Sequence, residues 1–398
     1  MTKNHILGLD IAQDSVVAQL DLADGTKCWR ETITTDQAGW KTLEQALTGR
    51  GARWAGTLVV LEATGVYHLP WAERLTKAGA EVHVLNPLLA ARLQSVANAL
   101  REHKTDRVDA HRLCEAGRLY ADQLGRFRYR PEPARQGLKQ LTSVRATLRA
   151  SLTNLKKSLL SQIEVVFPAM IRAGLDPSTE RAATILATAP TAGNWLALPE
   201  EQRRRLAGGK QAALDAACEA TLADEALAQA CAPAVLTLVN AQKTLAGELE
   251  ECDRLIAPKL PAERVALITS VPGFGERTSA VLSVYLPADF EGWGNAKQVA
   301  SRLQALFGTD PRLKQSGKWT GKIKISKRGI GAGRTALFQA AFCSLAHDPE
   351  NLAYYQKLRR AGKDHKQAMV DLMRKQLRRL VSVLLSKRPF TPRTHVAA

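Results

Sequence analysis

Four carboxylates are the residues of this chain best suited to chemistry. Asp10 ends the short apolar run HILGLD, Glu62 ends a second such run, TLVVLE, and Asp106 and Asp109 lie three residues apart in KTDRVDA. Acids from two strand ends and one helix face can hold divalent metal ions against a phosphodiester. Carboxylates that approach one another repel unless a cation lies between them. The pattern therefore predicts a site for Mg²⁺ or Mn²⁺ with all four acids as ligands.

Strand and helix patterns alternate over residues 1 to about 130. The runs HILGLDIA and SVVAQLDLADG, with a third strand at 27–33, predict an antiparallel meander. The helical segment DQAGWKTLEQAL follows, and then TLVVLEA, a continuous apolar run typical of a buried parallel strand. A helix near 70–78 and the strand AEVHVL come next. This order predicts an α/β fold of the ribonuclease-H-like type.

The predicted fold explains how separated acids meet. Its first strand lies beside its fourth, so Asp10 and Glu62 would end neighbouring strands. The segment KTDRVDAHRLCEAGRLY reads as a helix with Asp106 and Asp109 on one face, although either aspartate alone would also suit the N-terminal end of a helix dipole. Lys104 is expected to contact phosphate or to form an ordinary surface pair. Three nearby histidines are interpreted as structural contacts: His68, His103 and His111.

The composition indicates a polyanionic partner. The chain has 398 residues, enough for two or three domains, and its net charge of +18 with a pI near 9.8 favours nucleic acid. A merely soluble basic protein is the alternative that charge alone leaves open. The six cysteines are scattered without a Cys-Xaa-Xaa-Cys pair, which argues against a zinc ribbon or a disulfide framework. The start MTKNHILGLD has no signal-peptide pattern, and polar residues interrupt every long apolar stretch, so we expect a cytoplasmic protein without a membrane anchor.

Long amphipathic helices are predicted for the middle of the chain. Within a helix over about 133–168, apolar residues spaced by threes and fours run from Leu138 to Ile163. A second helical stretch covers roughly 211–256. The pair suggests a helical hairpin or coiled-coil arm that dimerises the protein and touches nucleic acid. A packed helical subdomain is the alternative.

Two helices joined by a tight turn are predicted after a boundary near 258–262. In RVALITSVPGFGERTSAVLSVYL, Gly273 and Gly275 permit the turn and would expose amide hydrogens to a phosphate. The segment therefore suggests a helix–hairpin–helix that binds the DNA backbone, and a plain helix turn is the alternative. Helices predicted at 335–390 carry basic residues expected beside nucleic acid: Arg359, Arg360, Lys363, Lys366, Arg374, Lys375, Arg378 and Arg379.

A basic stretch at 312–334 holds eight Lys or Arg residues and no acid. The residues expected to contact phosphate here are Lys314, Lys318, Lys322, Lys324, Lys327 and Arg328. Such contacts release counterions, so affinity falls with salt. Ser316, which precedes a glycine among these cations, is a candidate nucleophile because the cations would stabilise charge on phosphoryl oxygens. An ordinary serine of a basic loop is the alternative.

The order of these motifs resembles the IS-110 group of insertion-sequence transposases, which have an Asp-Glu-Asp-Asp signature and include the Piv-type DNA invertases. The matching strings run over nearly the whole chain: GLDIA, LEATGVYHLPWAERLTKAGAEVHVLNP, KTDRVDA, VPGFGERTSAVL, QSG, ISKRG and RRAGKDHKQAMVDLMRKQL. The series EATG, NP and KTDRVDA is highly specific, whereas PGFG and QSG alone are not.

The resemblance implies an architecture and a set of roles. It implies a RuvC-like domain at 1–132, a helical coiled-coil arm with an insertion at 133–258, and a mostly α-helical transposase domain at 259–398. The family's four acids map to Asp10, Glu62, Asp106 and Asp109, and its catalytic serine maps to Ser316. The implied partners are donor and target DNA, a structured bridge RNA that pairs with both, and further copies of the chain in a tetramer of two dimers. A cytoplasmic, nucleoid-associated enzyme would follow.

Three functions remain open at this point. In a recombinase, Ser316 would form a phosphoserine link to a DNA end, with Mg²⁺ held by the four acids. In a RuvC-like two-metal endonuclease or junction resolvase, water would attack and Ser316 would only contact phosphate. A non-catalytic nucleic-acid binder would rely on charge alone, and four converging acids argue against it because they repel phosphate.

Overall fold

The computed structural model describes residues 5–24, 26–87, 89–91, 106–222, 224–312, 315–316, 319–320 and 324–392. The chain divides into two compact units, residues 1–133 and 134–398. The side chains of Asp106 and Ser316 are outside the described part, although their backbones are within it. The three-part division at 132 and 258 stays a prediction.

The first unit is built on a mixed five-stranded sheet. Its strands are β1 (His5–Ile11), β2 (Ser15–Asp21), β3 (Lys27–Thr34), β4 (Thr57–Glu62) and β5 (Glu81–Leu85). Their order is β3-β2-β1-β4-β5, with antiparallel pairs among the first three and parallel pairs of β1 with β4 and β4 with β5. The predicted meander and the adjacency of the first and fourth strands are confirmed. This arrangement is compatible with a RuvC-like fold.

Helices cover both faces of this sheet, because the strands β1 and β4 are apolar on both sides. The helices are α1 (Gln37–Thr48), α2 (His68–Lys77) and α3 (Asp106–Leu124). Leu7, Leu9 and Leu61 pack with Trp40 and Trp71 from α1 and α2 on one face. Ile6, Leu58 and Val60 pack with Leu113 and Cys114 of α3 on the other face. The alternation of side chains along each strand therefore decides which residues meet α3.

The second unit begins with two long antiparallel helices around a helical insertion. The helices are α4 (Pro133–Val166), α5 (Pro168–Arg172), α6 (Glu180–Thr188), α7 (Ala192–Ala197), α8 (Glu200–Ala207), α9 (Gln211–Glu219) and α10 (Glu225–Ile256). Leu138 packs with Ile256, and Leu159 lies in one core with Val235, so α4 and α10 run in opposite directions. The helical stretch predicted over roughly 211–256 consists of two helices, α9 and α10. The side chain of Asp224 starts α10 by accepting a hydrogen bond of 2.8 Å from the amide of Leu227.

The rest of the second unit packs helices around a second core and carries short strands. The elements are α11 (Ala262–Thr269), α12 (Glu276–Tyr285), α13 (Ala296–Phe307), β6 (Pro311–Arg312), β7 (Gln315–Ser316), β8 (Trp319–Thr320), β9 (Lys324–Ile325), α14 (Gly331–His347), α15 (Pro349–Arg360) and α16 (His365–Ser386). Helix α14 begins at Gly331, four residues before the start predicted for the helices at 335–390. A Cβ on Gly333 would lie 2.3 Å from the ring of Phe307, so close packing requires this glycine. None of the described helices is both long and apolar enough to cross a membrane.

Candidate active site

Asp10 and Glu62 lie side by side at the ends of neighbouring parallel strands. The register of β1 and β4 pairs Leu9 with Leu61, so the two acids follow directly. Alternation places them on the face that carries Gly8 and Val60, which is the face covered by α3. Both acids are half-buried. The predicted convergence of these two strand ends is present in the structure.

Helix α3 crosses this face antiparallel to β1. A Cβ on Gly117 would lie 2.8 Å from Cγ2 of Ile6, and a Cβ on Gly8 would lie 2.3 Å from the carbonyl oxygen of Ala110. Two strand residues span about 6.7 Å, and at about 1.5 Å per residue that equals four to five residues of helix. Asp10 lies two residues beyond Gly8 along β1, so the first turn of α3 lies opposite Asp10. The packing therefore brings Asp109 to the end of the sheet that carries Asp10 and Glu62.

The Asp109 carboxylate is paired with an arginine on its own helix. Nη1 of Arg112 lies 2.7 Å from Oδ1 of Asp109, and the two residues are 6% and 9% exposed. A buried carboxylate needs such a partner, since an isolated buried charge is very unfavourable. The sequence interpretation missed Arg112. The only available signal was its position three residues after Asp109, which places the two side chains on neighbouring helix positions.

The described side chains do not by themselves make a complete metal site. Carboxylate oxygens are suitable ligands for Mg²⁺ and Mn²⁺, so the donor chemistry of Asp10, Glu62 and Asp109 fits the predicted ions. Among the described residues, however, no three His, Cys, Asp or Glu side chains are close enough together to hold a metal ion. Lys104 and the side chain of Asp106 lie outside the described residues. The role of the four acids as a complete ligand set stays a prediction.

A buried polar network joins α3 to the second strand. Nε2 of Gln19 donates to Oδ1 of Asp21 at 2.8 Å and lies 3.0 Å from Nδ1 of His111. Nη2 of Arg118 donates to Oδ2 of Asp21 at 2.6 Å. Gln19 and Asp21 are each 1% exposed. His111 thus makes a structural contact, and the network fixes how α3 lies on the sheet. Local sequence patterns gave no sign of it.

The candidate nucleophile Ser316 lies in a β-hairpin. β6 pairs antiparallel with β9, and β7 pairs antiparallel with β8, so that the backbone of Ser316 is opposite Trp319. Lys324 and Lys327 near the end of this hairpin are exposed. Arg328 is half-buried. Lys314, Lys318 and Lys322 lie outside the described residues, and the phosphate contacts stay a prediction.

The two glycines of the predicted helix–hairpin–helix have different surroundings. Gly273 has a φ of 96°, and a Cβ there would lie 2.2 Å from the carbonyl oxygen of Ala340 on α14. Both the backbone conformation and the close packing of helices therefore require glycine at this position. Gly275 is the N-cap of α12 and faces open space. Of the two, Gly275 is the one placed where a phosphate can approach, and this role also stays a prediction.

Comparisons with known proteins agree with the motifs. Residues 7–168 match a family model described as transposase, and residues 265–356 match a model described as the transposase IS116/IS110/IS902 family. The chain is 28% identical over 313 residues to the insertion element IS900 uncharacterized 42 kDa protein of Mycobacterium paratuberculosis, covering 75% of each chain. It is 26% identical over 397 residues to the insertion element IS116 uncharacterized 44.8 kDa protein of Streptomyces clavuligerus, covering 97% of this chain and 96% of the relative. It is also 32% identical over 139 residues to the pilin gene-inverting protein of Moraxella lacunata, covering 33% and 40%.

Proposed function

Because the chain belongs to the IS116/IS110/IS902 family of insertion-sequence transposases, enzymes that cut and transfer DNA strands, we propose that it recombines DNA through a Ser316 phosphoserine link, with Mg²⁺ held by Asp10, Glu62, Asp106 and Asp109. The observation that carries this proposal is the packing of α3 on the sheet. It brings Asp109 to the same face and the same end as Asp10 and Glu62.

The serine step would conserve the energy of the broken bond. Oγ of Ser316 attacks the phosphorus and gives up its proton, the bond from phosphorus to the leaving deoxyribose oxygen breaks, and that oxygen leaves as a hydroxyl. The DNA end is then joined to the protein as a phosphodiester. Attack by a second DNA hydroxyl reverses the step on a new partner, so rejoining requires no ATP.

Under this proposal the four acids bind the metal ion, and the basic residues of the hairpin bind the phosphate backbone. When bound, Mg²⁺ supplies charge neutralisation and orientation at the scissile phosphate. The exposed Lys324 and Lys327 would hold the phosphate backbone by charge. Asp10 and Ser316 belong to different units of the chain. Cutting would therefore require the acids and the serine to assemble, either within one chain or between copies in a dimer or tetramer.

A trapping experiment tests the serine. The chain, purified with the RNA that accompanies it, is incubated with a plasmid carrying its own insertion element, and the reaction is stopped with detergent. We expect a covalent protein–DNA adduct that Ser316→Ala abolishes. Ser301→Ala, which changes an exposed serine of α13 in the same unit, is the matched control and should give the wild-type yield.

The outcomes separate the candidate mechanisms. An adduct that persists in Ser316→Ala would show that this serine is not the nucleophile. Cleavage without an adduct, giving free 5′-phosphate ends that Ser316→Ala still produces, would favour the two-metal endonuclease. Asp10→Asn should lose the adduct while it retains nucleic-acid binding, because it removes a metal ligand. Undiminished cleavage by that variant would contradict the role of the acids.

A guide RNA is the proposed source of target choice. Under this proposal a structured non-coding RNA from the element pairs with donor and target DNA, and the protein binds the RNA in the cytoplasm. Sequencing the RNA that co-purifies with the chain tests this directly. A single structured species from DNA flanking the gene supports guided recombination, whereas a random sample of cellular RNA contradicts it.

A further inference from the structure

The hairpin that carries Ser316 has a closely packed base, here called the hairpin root, formed by residues 308–312 and 324–330. The amide of Ser326 donates to the carbonyl of Asp310 at 2.9 Å, and that of Lys327 donates to the carbonyl of Gly308 at 3.0 Å. The amide of Ile330 donates to the carbonyl of Leu306 at 2.8 Å. These bonds set where the two strands of the hairpin leave the helical core.

Glycines make the hairpin root too tight for side chains. Gly308 ends α13 with a φ of 64°, and a Cβ there would lie 2.7 Å from the amide nitrogen of Gly329. A Cβ on Gly329 would lie 2.0 Å from the carbonyl oxygen of Leu306. The two segments of the root therefore touch backbone to backbone. The direction of the hairpin depends on this contact.

Arg374 of α16 binds the hairpin root through one carbonyl. Its Nε and Nη2 donate to the carbonyl oxygen of Thr309 at 3.2 and 3.1 Å. Thr309 is 1% exposed, so its carbonyl has little access to water and depends on such a partner. The remaining edge of the guanidinium donates from Nη1 to Oδ1 of Asp371 at 3.2 Å. Asp371 also forms an ion pair with Lys363.

The geometry differs from that of a phosphate contact. The sequence predicts Arg374 and Lys363 beside nucleic acid, but both are engaged with Asp371, and Arg374 has two donors on one backbone oxygen. The planar fork of arginine suits such a two-point contact, and the carboxylate behind it fixes its orientation. Removing the Arg374 guanidinium would leave the buried carbonyl of Thr309 without these two hydrogen bonds.

We propose that Arg374 is a positioning residue for strand cleavage: it holds the hairpin root and so sets where the Ser316 hairpin points, with Asp371 and Lys363 orienting its guanidinium. This rests on the proposed role of Ser316 as the nucleophile. Small displacements of a reacting group lower rates strongly, because the reacting atoms must be aligned. Arg374 thus affects the chemical step while it contacts neither DNA nor metal.

Hydrogen–deuterium exchange on the full chain without nucleic acid gives the first readout. In Arg374→Ala, we expect the amides of Ser326, Lys327 and Ile330 to exchange roughly 10- to 100-fold faster, which corresponds to the loss of a charge-assisted hydrogen bond. Arg378→Ala is the matched control, since it removes the same charge from an exposed position of α16 four residues on. That variant should leave exchange at the hairpin root unchanged. Unchanged exchange in Arg374→Ala would overturn the proposal.

The adduct assay with the element-bearing plasmid gives the second readout. We expect Arg374→Ala to lower the adduct-forming rate at saturating protein about 100-fold, with the half-saturating protein concentration unchanged. The opposite result, weaker binding with an intact rate at saturation, would identify Arg374 as a phosphate contact and refute its positioning role. If Arg374→Ala does not fold, Asp371→Asn makes the same test by removing the carboxylate that orients the guanidinium. Faster exchange in Arg374→Ala together with an adduct in Ser316→Ala would leave Arg374 as an anchor of the root and reject only the serine nucleophile.

Discussion

The contact between Gly8 and α3 gives the sharpest test of the proposed active site. Gly8 lies on β1 two residues before Asp10, and a Cβ there would lie 2.3 Å from the carbonyl oxygen of Ala110 and 2.9 Å from the amide nitrogen of Cys114. Both atoms belong to the backbone of α3, so no side chain can rotate away. Gly8→Ala must therefore push the helix that carries Asp109 off the strand that carries Asp10.

The size of the displacement follows from the contact. Ordinary van der Waals contact begins at 3.4 Å, so a 2.3 Å approach requires a shift of roughly 1 Å. Overpacking of this kind typically destabilises a domain by about 1–3 kcal/mol. A misplacement of about 1 Å at a catalytic centre can lower the rate about 100-fold. We expect Gly8→Ala to remain folded while its adduct-forming rate falls by that factor.

The assay compares adduct formation with thermal unfolding in three variants. Gly125→Ala is the matched control, because a Cβ at Gly125 has open space in the same unit of the chain. Gly117→Ala is intermediate, because the atoms it would meet are the side-chain ends of Ile6, Leu58 and Val60, which can adjust. Activity should decrease in the order Gly125→Ala, Gly117→Ala, Gly8→Ala. A Gly8→Ala variant that folds and reacts at the wild-type rate would refute the requirement for α3 at this end of the sheet.

Three further predictions concern stability, reactivity and salt. The hydrogen bond from Arg145 and its charge hold the pKa of Asp253 below its usual value. The unfolded-state pKa is about 4, so this partly exposed pair stabilises the fold above that pH, and the stabilisation is lost as pH falls through the lower folded-state pKa. Urea denaturation of Asp253→Asn should show a decrease in the free energy of unfolding of about 1 kcal/mol or less at neutral pH. Burial raises the pKa of the Cys218 thiol to about 12 and also raises that of Cys114, so mass spectrometry after native alkylation at about pH 8 should find exposed Cys343 modified and those two protected. Nucleic-acid affinity measured by filter binding should fall linearly in a log–log plot against salt, and a flat plot would contradict backbone binding by charge.

The fold of the first unit could be predicted because its signals are local. Continuous apolar runs distinguish β1 and β4, turn residues separate the meander, and the strand order follows from the sequence of elements. The adjacency of Asp10 and Glu62 follows from that order alone. The position of Asp109 could not be predicted from strand order, because it depends on which residues of α3 pack against Gly8.

The side chains that support the site were not predictable, because their partners are distant in sequence. Gln19 and His111 are 92 residues apart, and Asp21 and Arg118 are 97 apart. No spacing rule links such pairs, and only the packing of a helix on a sheet brings them together. Arg374 shows the same limit, since its carbonyl partner on Thr309 is 65 residues away. The sequence shows its charge and gives no indication that the charge is used internally.

The distribution of charge along the chain indicates which segment would bind nucleic acid first. Residues 259–398 contain 25 Lys and Arg against nine Asp and Glu, whereas residues 1–258 contain 31 against 29. Nearly all of the net charge therefore belongs to the segment that carries Ser316, and the acid-bearing sheet lies in a nearly neutral segment. A nearly neutral segment that carries the proposed acid site does not attract a phosphate backbone. Under the proposed mechanism, the C-terminal segment must bind the nucleic acid first, and the acids then act on a phosphate delivered to them. The ion pairs of Lys363, Lys375 and Arg379 with acids of the same unit reduce the charge available for that binding. The exposed basic residues of α15 and α16 remain, and their loss should weaken it: Lys357, Arg359, Arg360, Lys366 and Arg378.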